Sequence, residues 1–106
     1  MKNYRPLPEF LTIKKSNIDG LGVFATRTIL PESYIGISHV STLQDGEEKI
    51  IRTPIGGFIN HSKQPNCIRI KDTNNWLLFS NRIVDEGEEL TLDYHGDGLE
   101  YNIEDL

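Results

Sequence analysis

The sequence predicts a single, mainly β domain. Three observations lead there. Short runs alternate apolar with polar or β-branched residues, turn-forming clusters recur about every ten residues, and no stretch shows convincing helical periodicity. FLTIKKS (10–16) is the first strand candidate, apolar and β-branched and closed by the turn-like Ser16–Asn17. GVFA (22–25) and YIGISHV (34–40) follow, separated by a stretch that Pro31 interrupts. Gln44–Asp45–Gly46 is a strong turn signal, and KIIR (49–52) can pair back across it as a hairpin. CIRIK (67–71) alternates, DTNN (72–75) turns and WLLFSNR (76–82) returns as a second hairpin. Asp85–Glu86–Gly87–Glu88 turns again and leads into ELTLDY (89–94). The ends, 1–9 and 97–106, are expected to be irregular.

At 106 residues and 12.1 kDa the chain is long enough for one core and too short for two. No stretch approaches the roughly 20 apolar residues that span a bilayer, and the opening MKNYRPLPEF has no apolar signal region, so no membrane association is expected. Cys67 is the only cysteine, which excludes an internal disulfide and favours a reducing compartment, cytoplasmic or nuclear, over secretion. His39, His61 and His95 lack paired-ligand spacing, so no metal is expected either. Net charge is −5, and its distribution is uneven: residues 1–82 hold all 11 Lys and Arg against seven acids, whereas 83–106 hold nine acids and no base. Such a C-terminal segment repels phosphate backbones and attracts cations, which disfavours direct nucleic-acid binding and favours a basic polypeptide partner.

Two segments ask for chemistry. Residues 56–67, GGFINHSKQPNC, gather Asn60, His61, Ser62, Pro65 and Asn66, a pattern open to a metal site, a catalytic histidine or a turn whose polar groups hold the backbone. Gly20–Leu21–Gly22–Val23–Phe24–Ala25 fits the glycine fingerprint of dinucleotide-binding folds, but that fold needs a helix to start at these glycines. The residues that follow, VFATRTIL, are β-branched and aromatic and run into Pro31, so the glycines read as a tight turn between strands that lets a ligand approach bare backbone.

Taken in order, GLGVFA (20–25), FINHSKQPNC (58–67) and EELTLDYHG (88–96) resemble the SET-domain family of protein lysine methyltransferases, with YIG (34–36) similar to the family's short tyrosine motif. The resemblance covers about residues 10–96, with 97–106 as a tail. It implies one SET domain over 1–106, a β-clip-like fold of several small sheets with a C-terminal pseudoknot. It also implies S-adenosylmethionine as methyl donor and a lysine ε-amine as acceptor. Members commonly carry flanking cysteine-rich zinc segments, which this sequence does not show. Minimal viral members work as homodimers, so a homodimer is an expectation here too.

Transfer from a sulfonium to nitrogen is an in-line displacement that needs a neutral amine. A free lysine has a pKa near 10.4, so its neutral form at pH 7 costs roughly 4.6 kcal/mol. An apolar channel beside a positive sulfonium lowers that pKa by desolvation and like charge. By resemblance, Tyr94 is the catalytic residue, its hydroxyl orienting methyl and nitrogen. Tyr34 and Leu92 join it in the lysine channel. Gly20, Leu21, Gly22, Asn60 and His61 contact the cofactor, and Tyr101 stacks on its adenine. Asn66 and Asp93 belong to the pseudoknot. Arg69 and Leu92 stand where relatives place the aromatic residues that limit methyl number; Leu92 leaves room for multiple methylation, and Arg69 has no evident reason there. The competing readings are a non-catalytic SET-like binding module that keeps the fold, and a purely structural β domain.

Overall fold

The computed structural model describes residues 7–94. A two-stranded antiparallel sheet is formed by β1 (Leu11–Lys15) and β2 (Leu21–Ala25), with Leu11 opposite Ala25. The second sheet comprises β3 (Tyr34–Gln44), β4 (Glu47–Arg52), β5 (Asn60–His61), β6 (Cys67–Asp72), β7 (Asn75–Ser80) and β8 (Thr91–Leu92). Its order is β4-β3-β7-β6-β8-β5. β8 runs parallel to both β5 and β6 and lies between them. The chain thus enters the sheet between two strands that are themselves joined by the loop 62–66, which is the threaded arrangement expected of the pseudoknot.

Both predicted hairpins form, and their turns show why. Gln44 pairs with Glu47 around Asp45 (φ 54°) and Gly46 (φ 81°), the left-handed pair for which Asp-Gly is suited. Asp72 pairs with Asn75 around Thr73 and Asn74, and Thr73 sits at φ 55°, where a β-branched residue is strained. Thr73→Asn is therefore expected to raise stability by about 1 kcal/mol, read as a higher urea midpoint at unchanged slope.

One helix, α1 (Pro54–Phe58), was not predicted, and its sequence PIGGF explains the omission. Five residues with two glycines have no helical periodicity. What holds them is tertiary: Thr53 caps the turn by accepting Gly56 N–H at 3.3 Å and donates to Ile37 O at 2.6 Å. Pro54 occupies the first turn. Gly56 lies on β3 so closely that a Cβ would stand 2.0 Å from the Ser38 carbonyl oxygen.

The expected strand 89–94 is shorter than its pattern suggests because the segment changes sheets. Glu89 bridges Phe24 of β2, and Leu90 N–H donates to Val23 O at 2.8 Å. Thr91 and Leu92 then join the large sheet. This crossing lets one core form between the sheets, built from Leu11 and Val23 on one side and Ile35, Leu78, Cys67 and Leu92 on the other. Fully burying such an aliphatic side chain contributes about 1.5–3 kcal/mol.

Among the described residues, the other face of the large sheet is left uncovered. Tyr34, Phe79 and Ile68 form one cross-strand row, and Ile37, Leu77 and Ile70 form the next, all partly or well exposed.

Near the start of β8 the turn 82–88 is tied by Arg82, which pairs with Glu88, while Glu88 Oε1 accepts Asp85 N–H at 2.9 Å. The hydrogen bond from Arg82 holds the Glu88 carboxyl below its usual range. A carboxyl whose folded pKa is lowered stabilises the fold above its unfolded pKa of roughly 4.3, and this contribution is lost as pH falls through the folded value. The pair is half exposed, so the effect is small, of order 0.5 kcal/mol. Arg82→Ala should accordingly destabilise at pH 7 and make little difference at pH 3, measured by urea unfolding at the two pH values.

Candidate active site

The site is assembled where the two sheets meet. The turn between β1 and β2 ends in Gly20, whose φ of 47° suits glycine, and Leu21 beyond it is half exposed. Asn60 on β5 reaches this turn: its Nδ2 lies 3.1 Å from Asp19 O and 3.2 Å from Leu21 O. It also donates to Glu89 Oε2 at 2.8 Å. Ser16 Oγ donates to Glu89 Oε1 at 2.7 Å. Ser16, Glu89 and Asn60 thus lock the turn to the edge of the large sheet.

His61, beside Asn60, is half-buried. Its Nδ1 accepts the Tyr94 backbone N–H at 3.1 Å, so the neutral ring carries its proton on Nε2. Asp93 Oδ1 is 3.8 Å from the same Nδ1, and the Tyr94 hydrogen bond, being shorter and directional, sets the tautomer. The His61 and Tyr94 rings lie 5.1 Å apart.

Tyr94 is fixed at three points. Its N–H is held by His61, its carbonyl accepts from Arg69 Nη2 at 3.1 Å, and its hydroxyl donates to the Ile59 carbonyl. Arg69 therefore has a role: it is buried and holds the backbone of Tyr94.

The structure brings Gly20, Leu21, Gly22, Asn60, His61 and Tyr94 into one neighbourhood. Leu92 pairs with His61 and is fully buried in the core behind them. Tyr34, expected in the lysine channel, is exposed at the start of β3. Its ring meets Phe79 edge-on at 5.5 Å on the open face of the sheet, whereas Tyr94 packs on the core side. The pleat decides this, because Phe79 alternates with the buried Leu78 and Ser80. Tyr101 lies outside the described residues. Gly22 is buried, and the Glu89 carboxylate occupies the space a Cβ would fill. Ser16, Glu89 and Arg69 were missed as site residues. An acid inside an acidic run and a Ser at a strand end carry no local signal of this kind. Among the described residues no group of three or more His, Cys, Asp or Glu is placed to hold a metal ion.

Comparison with known proteins bears on the arrangement. The SET domain family model matches residues 40–95, more than half of the chain. The chain belongs to the SET-domain family. It is 29% identical over 81% of its length to the Caenorhabditis elegans histone-lysine N-methyltransferase set-2. It is 30% identical, again over 81% of its length, to the human histone-lysine N-methyltransferase 2B. The SET-domain chain spans only 8% of the first relative and 4% of the second. The crystal structure of a candidate histone methyltransferase of Plasmodium falciparum superposes with a TM-score of 0.70 at 21% identity, covering 87% of this chain and 98% of that one. This last likeness shows the fold, with its curled sheets and β-rich build.

The residues present suit a donor such as S-adenosylmethionine. With Nδ2 engaged inward, Asn60 presents Oδ1 as an acceptor, Leu21 and His61 supply partly exposed apolar and aromatic surface, and the Tyr94 oxygen is held at a fixed point.

Proposed function

We propose that this chain is a protein-lysine N-methyltransferase that uses S-adenosylmethionine and acts on a lysine of a basic polypeptide. The observation that carries the reading is the convergence of Asn60, His61 and Tyr94 at the β5–β8 pairing, against the Gly20–Gly22 turn. The names of the relatives, histone-lysine methyltransferases, support the same class. When bound, S-adenosylmethionine supplies an electrophilic methyl group on a sulfonium. Gly20, Leu21, Asn60 and His61 would hold it, with Tyr101 as a further candidate.

The chain's own contribution is orientation. Tyr94, pinned at N–H, carbonyl and hydroxyl, sets one oxygen beside the amine and excludes alternative rotamers; fixed alignment of reacting groups is the main resource of such a site. His61 is engaged through Nδ1 in holding Tyr94 and is not assigned as a base. Asp85 and Glu86, on the exposed turn before β8, provide an acidic field for Lys and Arg flanking the target lysine. The working compartment is cytoplasmic or nuclear, consistent with a buried free thiol at Cys67 and a basic protein substrate.

The open apolar face of β3, β7 and β6 supports a homodimer, formed by two copies stacking these faces. Sedimentation that finds only monomer at high micromolar concentration removes the dimer without touching the catalytic reading.

Incubation with methyl-labelled S-adenosylmethionine and purified histones, followed by mass spectrometry, tests the activity. Methylated lysine is the expected product. Calorimetric binding of the cofactor without any transfer to basic proteins would favour the non-catalytic module instead, and no binding at all would defeat the enzyme reading.

A further inference from the structure

Glu89 is where the parts of the site meet. Ser16 Oγ donates to both of its carboxylate oxygens, at 2.7 and 2.9 Å, and Asn60 Nδ2 donates to Oε2 at 2.8 Å. Ser16 Oγ accepts the Ile18 N–H at 2.8 Å and so fixes the start of the turn that ends at Gly20. Gly22 completes the enclosure: a Cβ there would stand 2.2 Å from Glu89 Oε2 and 2.8 Å from the carboxyl carbon. The backbone is held as well, because the Glu89 carbonyl accepts from Asn66 Nδ2 at 2.9 Å.

An asparagine amide has a donor end and an acceptor end, and a half-turn exchanges them. At Asn60 the carboxylate of Glu89, the Ser16 hydroxyl oxygen and the carbonyls of Asp19 and Leu21 surround Nδ2 and share its two hydrogens, so only the orientation with the donor end inward suits them. A carboxylate acceptor makes this bond about twice as strong as a neutral one. Oδ1 is thereby turned away from the cluster as an acceptor, suited to an ammonium or amino group of a ligand.

We infer that Glu89 is a positioning residue for cofactor binding, which sets the Asn60 amide and clamps the Ser16–Gly22 turn against the same sheet edge. The inference rests on the methyltransferase reading and adds to it the group that orients its cofactor contact. It also explains why position 22 must be glycine: the neighbour that forbids a side chain is the Glu89 carboxylate.

Calorimetric titration of the full chain with S-adenosylmethionine, run beside thermal unfolding of the same samples, tests this. Glu89→Gln is expected to weaken binding roughly tenfold and Glu89→Ala more, as for loss of a charge-assisted hydrogen bond. The loss should fall on the cofactor KM, with kcat at saturating cofactor within about threefold of the unaltered chain, a split that general loosening of the fold would not produce. Gly22→Ala is expected to weaken binding further. Adding Glu89→Ala to it should recover affinity to the level of Glu89→Ala alone, because the obstructing carboxylate is gone. Where Glu89→Ala fails to fold, the isosteric Glu89→Gln supplies the measurement. Binding within about twofold for Glu89→Gln, or an equal loss from Gly22→Ala with and without Glu89, overturns the assignment. An unaltered chain that binds no S-adenosylmethionine overturns the methyltransferase reading itself, an outcome distinct from unchanged affinity in the Glu89 variants.

Discussion

Tyr94→Phe is expected to slow methyl transfer about 10²–10³-fold while cofactor affinity stays within about threefold. The substitution removes one oxygen and keeps the rest of the arrangement. The ring remains beside His61, the backbone N–H remains on His61 Nδ1, and the carbonyl remains on Arg69. What disappears is the hydroxyl, which the Ile59 carbonyl holds in one rotamer and which in the proposed reaction aligns the neutral amine with the departing methyl. The lost hydrogen bond to Ile59 lowers stability by only about 1 kcal/mol, so the variant stays folded and the kinetic effect can be read directly. Single-turnover transfer to a histone substrate is the measurement. A rate within about threefold of the unaltered chain would show that the hydroxyl is a packing contact and that orientation comes from elsewhere.

How legible this molecule is depends on the range of the interactions. The strands Leu11–Lys15, Tyr34–Gln44, Cys67–Asp72 and Asn75–Ser80 follow from period-two patterning and from turn residues such as Asp45–Gly46, which are local signals. α1 and β5 have no such signal. They exist because Thr53 finds Ile37 O and because Asn60 and His61 pair with a strand some thirty residues later in the chain. The site divides in the same way. Asn60, His61 and Tyr94 stand out through motif resemblance, and the structure places them side by side. Ser16 and Glu89 do not stand out, since their bond closes a separation of 73 residues and each alone looks like a solvated polar residue. Arg69 looked misplaced beside a cationic substrate because its partner, the Tyr94 carbonyl, is a backbone group that no residue pattern reveals. Tyr34 shows the same limit from the other side. Its short motif was visible, but the bulges in β3 and the pleat of β7 decide which face a tyrosine takes.

Asn66→Ala is expected to destabilise the fold by about 3 kcal/mol, the largest loss anticipated for a polar side chain here. Asn66 is fully buried, and its amide spans the segment that threads the sheet: Oδ1 accepts the Thr91 N–H at 2.8 Å and Nδ2 donates to the Glu89 carbonyl at 2.9 Å. Alanine leaves both backbone groups without that partner in a place where water does not easily replace it, and each such group costs about 1–3 kcal/mol. Asn66→Asp should not rescue the loss, because it keeps an acceptor for Thr91 and turns the other end into an oxygen facing the Glu89 carbonyl. Urea unfolding measures the energy, and Cys67, whose thiol donates to Asn66 Oδ1 at 3.4 Å, gives a second readout local to the lost amide. Burial pushes its thiol up to about 12, so alkylation of the native chain is slow and reports opening of the β6–β8 pairing. Faster alkylation in Asn66→Ala, with a lower urea midpoint, is the expected pair of results. If stability falls by less than about 1 kcal/mol and Cys67 stays protected, the threaded segment is held by β-pairing and core burial, and Asn66 is no more than a filler of the loop.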